Sequence, residues 1–141
     1  MNSRDNKRVK LVEDHKEKTA QHFDRRAEIY GQNVFKFNFY RKKLVEHLRF
    51  LVPSGASILE LGCGSGEILN ALSPSRGLGV DLSERMVERA SAEFPHLEFR
   101  VGDAETFVEE ETFDYILMLG LIDHLYDVQS TFSILRKVCN R

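Results

Sequence analysis

The spacing of apolar residues changes along this chain, from a helical period in the first third to short continuous runs beyond residue 53. The helical period predicts two helices, over residues 11–29 and 35–51, whereas the polar residues 1–10 are expected to be disordered. The two apolar stripes consist of Val12, Ala20, Phe23 and Ala27 in the first helix and Phe37, Tyr40, Leu44, Leu48 and Leu51 in the second. Pro53 and Gly55 end the second helix.

Beyond this turn, four short apolar runs alternate with segments of helical composition. The predicted strands cover residues 57–61, 77–81, 97–101 and 113–119. Helices are predicted over residues 67–72, from an N-cap at Ser83 to Phe94, and from an N-cap at Asp127 through an apolar stripe of Val128, Phe132, Leu135 and Val138. Because parallel strands need crossover connections, this alternation predicts an α/β protein with a doubly wound parallel sheet.

Composition narrows the class of protein without assigning a function. The chain has 141 residues, enough for one domain, and its sequence lacks an apolar stretch of the roughly 20 residues that a membrane-spanning helix needs. Its polar start does not resemble a secretory signal. Two cysteines, Cys63 and Cys139, are too few for a disulfide framework or a zinc site, so a cytoplasmic protein is expected.

Charge is distributed unevenly along the chain. Residues 1–50 carry 13 Lys and Arg against 7 Asp and Glu, whereas residues 51–141 carry 7 against 15. A basic half could attract an anionic substrate or a nucleic acid, but these cations lie among helical apolar positions without forming a dense run. We interpret them as solvated helix faces, since no nucleic-acid-binding motif accompanies them.

The candidate chemistry lies where the predicted strands end. The first strand runs into residues 60–66, with the sequence ELGCGSG, where glycines allow the backbone to approach a ligand closely or to adopt positive φ. Asp81 ends the second strand, and Asp103 follows the third. Because the carboxyl ends of parallel strands meet at one edge of a sheet, we expect the turn and both carboxylates at one site. A plain structural turn is the alternative reading of the glycines.

Four segments, in their order and spacing, resemble the motifs of class I methyltransferases that depend on S-adenosylmethionine (SAM). They are LELGCGSG at residues 59–66, GVDLS at 79–83 followed by Met86, GDA at 102–104, and FDY at 113–115 with the strand after it. The resemblance covers about residues 55–139. It implies a Rossmann-like sheet of about four strands in the order 3-2-1-4 within residues 53–141, and a helical lid or cap formed by residues 1–52.

The resemblance also implies where SAM, and its product S-adenosylhomocysteine, would bind. Asp81 would hold the ribose, Asp103 and the Ala104 amide would read the adenine edge, and Glu60 would orient the loop or the methionine amino group. The other implied positions are Gly62, Cys63 and Gly64 at the methionine part, Leu82 and Met86 at the adenine, Gly102 beside Asp103, the backbone of Leu119 and Gly120, and Tyr30 in the lid. No histidine lies near Cys63 in the sequence, so we expect its side chain to be packed and not to act as a nucleophile.

A dinucleotide-dependent dehydrogenase is the alternative for the same fold. Its fingerprint places a third glycine three residues after the second, whereas here Gly66 comes one residue early and Glu67 follows it in the first helical turn. A carboxylate at that place would repel a pyrophosphate but would not hinder SAM, which carries no phosphate. Asp103 suits an adenine edge, so we interpret the site as a SAM site.

Methyl transfer requires mainly that the acceptor be held in line with the methyl–sulfur bond, and it needs a base only when the acceptor must lose a proton. His124 and Asp123, just beyond the fourth strand, are the candidates for such a base. The alternative is that His124 only packs against the cofactor and that Asp123 only satisfies backbone amides. Arg41 could reach the SAM carboxylate, or it could be an exposed helix arginine.

The family fold has seven strands, and this chain offers four, stopping before the fifth. We therefore expect a fragment of a longer polypeptide, or a homodimer that pairs through an open sheet edge at 113–119. Two functions remain. The first is a SAM-dependent methyltransferase, or its cofactor-binding part, with an unidentified acceptor for which a small molecule is favoured. The second is a non-catalytic SAM-binding or scaffold module. Neither function implies a metal.

Overall fold

A four-stranded parallel sheet organises the part of the chain that the structure describes. A computed structural model describes residues 3–29 and 34–140. The helices are α1 (Ser3–Ile29), α2 (Val34–Leu51), α3 (Glu67–Ala71), α4 (Glu84–Glu93) and α5 (Val128–Val138), with a 3-10 turn at Ile122–His124. The strands are β1 (Ser57–Leu61), β2 (Arg76–Asp81), β3 (Glu98–Val101) and β4 (Tyr115–Met118).

The strands lie side by side in the order β3-β2-β1-β4 and are all parallel, which confirms the predicted fold class and strand order. The register places Leu61 of β1 beside Val80 of β2 and Met118 of β4. Asp81, the last residue of β2, lies beside Val101, the last residue of β3. The four carboxyl ends are therefore level, and the loops that follow them meet along the edge where such sheets bind ligands.

The central strand β1 is buried on both faces of the sheet. Leu61 packs on one face in a cluster that includes Leu135 of α5. Ile58 packs on the other face with residues of α2 and α3. A strand that is covered on both faces needs apolar residues throughout, which explains the continuous apolar run of β1. Glu60 is the exception within this run, and its side chain is only 2% exposed.

The first helix is longer than its apolar stripe predicts. α1 begins at Ser3, so the expectation of disorder over residues 1–10 is wrong for residues 3–10. This segment contains no Gly or Pro to stop a helix. The Arg8 guanidinium also lies 5.7 Å from the centroid of the Tyr126 ring, a contact that holds the segment on the rest of the fold. Although α1 spans 27 residues, neither it nor another helix in the described ranges is long and apolar enough to cross a membrane.

The buried stripe of α5 matches the predicted one only in its second half. Thr131, Leu135 and Val138 are buried, whereas Phe132 is 45% exposed, so the prediction of Phe132 as a core residue is wrong. The hydroxyl of Thr131 donates to the carbonyl of Asp127 at 2.9 Å. A polar side chain can therefore be buried at this position without losing a hydrogen bond.

The stripe of α2 is also shifted. Leu44 and Leu48 pack on the sheet side of α2, but Tyr40 is 68% exposed and Leu51 is 64% exposed, so both predictions of core positions are wrong. Val52, four residues after Leu48, is buried and takes the place expected of Leu51. The amide of Val52 donates to the carbonyl of Leu48 at 2.7 Å, so the helical turn continues past Leu51 and places Val52 on the side of Leu48.

The outer edge of the sheet is less open than predicted. β4 covers only residues 115–118 of the predicted 113–119. The amide of Phe113 donates to the carbonyl of Val138 at 2.9 Å, and the carbonyl of Phe113 accepts from the amide of Asn140 at 2.8 Å. The expectation of an open edge is therefore wrong at Phe113. Within the described residues, β4 itself pairs only with β1.

Two glycines allow the ring of Phe99 to lie against backbone. A Cβ atom added at Gly79 in β2 would lie 2.5 Å from this ring, and one added at Gly66, just before α3, would lie 2.6 Å from it. Both distances are too short for real contacts. Phe99 of β3 therefore packs β2 and the turn after β1 against each other at the edge that carries the site.

We expect Gly79→Ala to lower the free energy of unfolding by roughly 1–3 kcal/mol, because the new methyl group would overpack against the Phe99 ring and the Cys63 sulfur. Urea unfolding measures this cost. In a Phe99→Ala background the same substitution should cost less, since the ring that it meets is gone. Equal costs in the two backgrounds would contradict the close packing.

Candidate functional site

A cavity of about 380 Å³ opens at the carboxyl edge of the sheet, a volume within the range of small-molecule sites. Its wall combines the ends of the strands and the loops after them with side chains of α1 and α2. The residues predicted from the sequence that line it are Glu60, Gly62, Cys63, Gly64, Asp81, Leu82, Met86, Gly102, Asp103, Ala104, Leu119, Gly120 and His124. The fold thus brings segments that are far apart in sequence to one cavity.

Asp123, the second candidate base, lies apart from this cavity. Its side chain is 77% exposed and does not belong to the cavity wall. Its Oδ2 is 3.7 Å from Nε2 of His124, so any role in the site would act through that ring. Tyr30, predicted in the lid, lies outside the described residues.

Backbone hydrogen bonds fold the turn between β1 and α3 over the end of β2. The amides of Gly62 and Cys63 both donate to the carbonyl of Val80, at 2.8 and 3.1 Å. The φ angles of Gly62, Gly64 and Gly66 are +70°, +52° and +75°, in a region that residues with a Cβ disfavour. The turn itself therefore requires these glycines, and they do not identify a ligand on their own.

Asp81 ties this turn to the start of α4. Its Oδ2 accepts from the Gly64 amide at 2.8 Å, and its Oδ1 accepts from the Ser83 amide at 2.9 Å. Burial raises the pKa of Asp81, although both hydrogen bonds favour the charged form. Each carboxylate oxygen has a second lone pair, so Asp81 can still accept hydroxyl donors from the cavity that it lines.

Glu60 places a carboxyl group in the cavity wall with one oxygen unsatisfied. Its Oε2 is buried and has no hydrogen-bond partner among the described residues. Burial raises the pKa of Glu60 to about 8; the Leu69 amide and the Arg41 guanidinium oppose this rise, and the Asp81 carboxylate adds to it. A buried oxygen without a partner costs free energy, and a donor group on a ligand would remove that cost.

Arg41 of α2 lines the cavity near Glu60. Its guanidinium is ion-paired with Glu67 in the first turn of α3. The Arg41 side chain is only 22% exposed, so the alternative of an exposed helix arginine is wrong. A cation and a buried acid therefore stand together at this part of the wall, which suits a ligand that carries both a positive and a negative group.

The loop after β3 contributes a second charged cluster. Oδ1 of Asp103 accepts from the Glu105 amide at 2.9 Å. Oδ2 of Asp103 is ion-paired with Lys16 of α1, whose Nζ is also 3.2 Å from Oε2 of Glu105. Ala104 between them is buried. Asp103, predicted from the sequence, thus lies at the cavity together with a cation that the sequence did not indicate.

The cavity residues missed by sequence reasoning come mainly from the two N-terminal helices. On α1 they share one face, at the spacing i, i+3, i+7 and i+10, and on α2 they lie near its middle. They are Lys16, Thr19, Phe23 and Arg26 of α1 and Tyr40 and Leu44 of α2. The spacing on α1 was a usable signal, but a face that mixes cations, a hydroxyl and a ring does not stand out as an apolar stripe.

His124 meets α1 at the cavity. Its ring contacts the ring of Phe23 edge to face, with centroids 5.4 Å apart. The ring lines the cavity while it packs against the helix. The observed packing is on Phe23, so packing of His124 on a cofactor and a role of its ring in proton transfer both stay predictions.

Cys63 is packed inside the turn. Its side chain is 7% exposed, and burial raises the pKa of its thiol, with the nearby Asp81 and Glu60 carboxylates adding to the rise. The thiolate is the nucleophilic form of cysteine. Cys63 is therefore a packing residue of the cavity wall.

Known proteins resemble this chain in sequence. Residues 58–141 match the methyltransferase domain family. The malonyl-[acyl-carrier protein] O-methyltransferase of Haemophilus influenzae is 31% identical over 107 residues, which cover 72% of this chain and 41% of that protein. The chain spans less than half the length of the curated relatives that it matches.

Solved structures resemble it in fold. A SAM-dependent methyltransferase from Thiobacillus denitrificans, crystallised with S-adenosyl-L-homocysteine, has a TM-score of 0.57 and 29% identity, and the match covers 70% of this chain and 43% of that one. DhpI, solved as a complex with SAH, has a TM-score of 0.76 and 22% identity, with coverage of 88% and 63%. At 22% identity the likeness to DhpI shows the fold alone.

The buried carboxyl of Glu60 predicts an unusual dependence of stability on pH. In the unfolded chain Glu60 loses its proton above its ordinary pKa of 4.5, whereas in the folded chain it keeps the proton up to about pH 8. Unfolding therefore releases a proton between these values, and the free energy of unfolding should fall as the pH rises from 4.5 to 8. The fall from this group amounts to roughly 2–5 kcal/mol and levels off above pH 8.

Glu60→Gln should lack this contribution. Urea unfolding at pH 5 and pH 8 measures it, as the difference between the parent chain and the variant. Glu88→Gln, which changes an exposed carboxylate of α4, is the matched control and should keep the pH dependence of the parent. Identical pH dependence in the parent and Glu60→Gln would show that Glu60 is ionised in the folded chain at neutral pH.

Proposed function

The chain belongs to the methyltransferase domain family, and we propose that it binds SAM in the cavity at the carboxyl edge of the sheet. In this proposal it is the cofactor-binding part of a SAM-dependent methyltransferase whose acceptor is a small molecule. Residues 53–141 form the binding core, and α1 and α2, within residues 1–52, act as a cap over it.

The observation that carries this proposal is the unsatisfied, buried oxygen of Glu60. SAM ends in an amino acid whose ammonium group is a strong hydrogen-bond donor. Bound beside Glu60, this group would satisfy Oε2 and favour the ionised carboxylate. Arg41, near Glu60 in the same wall, would pair with the carboxylate of the same amino acid.

The remaining predicted residues suit the rest of the cofactor. The free lone pairs of Asp81 would accept from the ribose hydroxyls. Met86, which is 2% exposed, would pack with Leu82 against the adenine ring. Asp103 and the Ala104 amide would serve the polar edge of that ring, while the backbone of Leu119 and Gly120 would approach the methionine part.

A cofactor with a pyrophosphate suits the same cavity poorly. The turn before α3 is where a dinucleotide-binding sheet holds its pyrophosphate. Here Asp81 lines the cavity at this turn, and Glu67 occupies the first turn of α3. These carboxylates would repel a pyrophosphate, which supports SAM over a dinucleotide.

When bound, SAM supplies an electrophilic methyl group on its sulfonium. The chain's own contribution is to hold the cofactor and the acceptor in place and to exclude water. Where the acceptor must lose a proton, we assign its removal to His124, whose ring lines the cavity beside Phe23. Asp123, 3.7 Å from that ring, would act by orienting it.

We expect calorimetry to detect binding of both SAM and S-adenosylhomocysteine. At pH 7 binding should release up to about one proton, because Glu60 would ionise beside the ammonium group of the ligand. Titrations in buffers of different ionisation enthalpy measure this release. Glu60→Gln should weaken binding and abolish the release, whereas the control Glu88→Gln should do neither. No heat at millimolar ligand would overturn the proposal.

Asp81→Ala should weaken binding of S-adenosylhomocysteine by roughly 1–3 kcal/mol, because the ribose hydroxyls lose their acceptor. Asp81→Asn keeps one acceptor oxygen and should lose less. Calorimetry measures the affinities, and urea unfolding checks that each variant keeps its fold, since Asp81 also accepts from the Gly64 amide. An unchanged affinity in Asp81→Ala would refute the ribose assignment.

A further inference from the structure

We propose that Lys16 of α1 competes with the adenine of the cofactor for Asp103, and that it thereby sets both the affinity for the cofactor and the tolerance for other bases. This inference rests on the proposed function, because it takes the cavity as the SAM site and Asp103 as the group that meets the adenine edge. The structure shows the contact directly: Lys16 and Asp103 form an ion pair in the cavity wall.

The ion pair is partly shielded from water. The side chains of Lys16, Asp103 and Glu105 are 22%, 19% and 10% exposed. Burial alone would lower the pKa of Lys16, but its hydrogen bonds to the two carboxylates raise this pKa above its usual value. Lys16 is therefore charged at neutral pH, and its interaction with Asp103 is stronger than that of an ion pair on the open surface.

Both oxygens of Asp103 already have donors. Oδ1 accepts from the Glu105 amide at 2.9 Å, and Oδ2 is bound by Lys16. The amino group of adenine is a neutral donor, whereas the ammonium of Lys16 is a charged and stronger one. Each Asp103 oxygen keeps a second lone pair, but a second donor on Oδ2 would stand next to the ammonium and share the same negative charge, so adenine binds Asp103 at full strength only when Lys16 moves away.

Glu105 makes that exchange possible. Its Oε2 lies 3.2 Å from Nζ of Lys16, so the ammonium keeps one carboxylate when it leaves the other. Removal of Lys16 costs the cofactor-free site more free energy than it costs the cofactor-bound site, because only the cofactor-free site has the contact between Lys16 and Asp103. A substitution that removes the ammonium should therefore favour the bound form.

The exchange does not require α1 to leave the core. Further along the helix, Asp24 accepts from the Ser83 hydroxyl and, at 3.4 Å, from the Arg85 amide. Arg89 of α4 also donates to the carbonyl of Ala27 at 3.4 Å. These contacts hold α1 on α4 whether or not Lys16 is bound to Asp103. Competition at this position is thus a displacement of one side chain.

The first test is Lys16→Met, which keeps the length of the side chain and removes its charge. We expect S-adenosylhomocysteine to bind this variant about 3- to 10-fold more tightly in calorimetry, and to associate faster in stopped-flow measurements. Lys18→Met, at an exposed position of the same helix, is the matched control and should bind like the parent. Equal or weaker binding by Lys16→Met would overturn the proposal.

The second test changes the ligand. In S-inosylhomocysteine an oxo group replaces the amino group of adenine, and this oxygen can accept from Lys16. N1 of the inosine base carries a hydrogen that would face the Ala104 amide, so both chains should prefer S-adenosylhomocysteine. Lys16→Met should do so by at least about 10-fold more than the parent, because it has also lost the donor to the oxo group. A purely structural role of Lys16 would leave this ratio unchanged, and an unchanged ratio would overturn the proposal.

The two proposals fail in different ways. If the parent chain binds neither ligand at millimolar concentration, the SAM site itself is wrong. If the parent binds S-adenosylhomocysteine but Lys16→Met neither tightens binding nor shifts the preference between the two ligands, only the competition is wrong. Urea unfolding of Lys16→Met and Lys18→Met provides the check that both variants retain the fold.

Discussion

The hydrogen bond from the Gly64 amide to the Asp81 carboxylate, 2.8 Å long, is the interaction on which the site depends. It joins the turn after the central strand β1 to the end of the neighbouring strand β2. The other oxygen of the same carboxylate accepts from the Ser83 amide and so fixes the start of α4. One side chain therefore aligns three segments of the cavity wall, at the cost of a carboxylate that is largely withdrawn from water.

That cost is shared with Glu60 on the adjacent strand. Burial holds the pKa of Glu60 near 8, and the charge of Asp81 adds to this effect, so the two carboxyl groups cannot both ionise without repulsion. Proteins tolerate such a pair where a cation or a strong donor completes it. A ligand with an ammonium group would do this. The buried carboxyl of Glu60, whose burial costs free energy, is therefore also the group that best indicates the chemistry of the ligand.

The sequence predicted the parts of the site that depend on local chain geometry. The turn at residues 60–66, Asp81 and Asp103 follow strands directly, so a correct assignment of the strands was enough to place them together at one edge. The face of α1 was not predictable in this way. Lys16 and Asp103 are 87 residues apart, and nothing in the spacing of charges within α1 indicates which of its cations meets a carboxylate. The prediction of Phe132 as a core residue was wrong for a related reason. Thr131 bonds its own hydroxyl to the Asp127 carbonyl and can therefore take the place of an apolar residue in the core.

The uneven charge of the chain acquires a physical meaning from these contacts. Solvated helix faces remain a fair description of exposed cations such as Lys18 and Lys42, but not of Lys16 and Arg41, which line the cavity and are ion-paired with carboxylates. The basic helices are thus held against an acidic sheet edge by partly buried ion pairs. A polyanion would be attracted by the basic helices and repelled by the acidic sheet edge. An amino acid joined to a neutral base would offer a partner both to the cations of the helices and to the carboxylates of the sheet edge, so this arrangement suits a ligand whose own opposite charges lie close together.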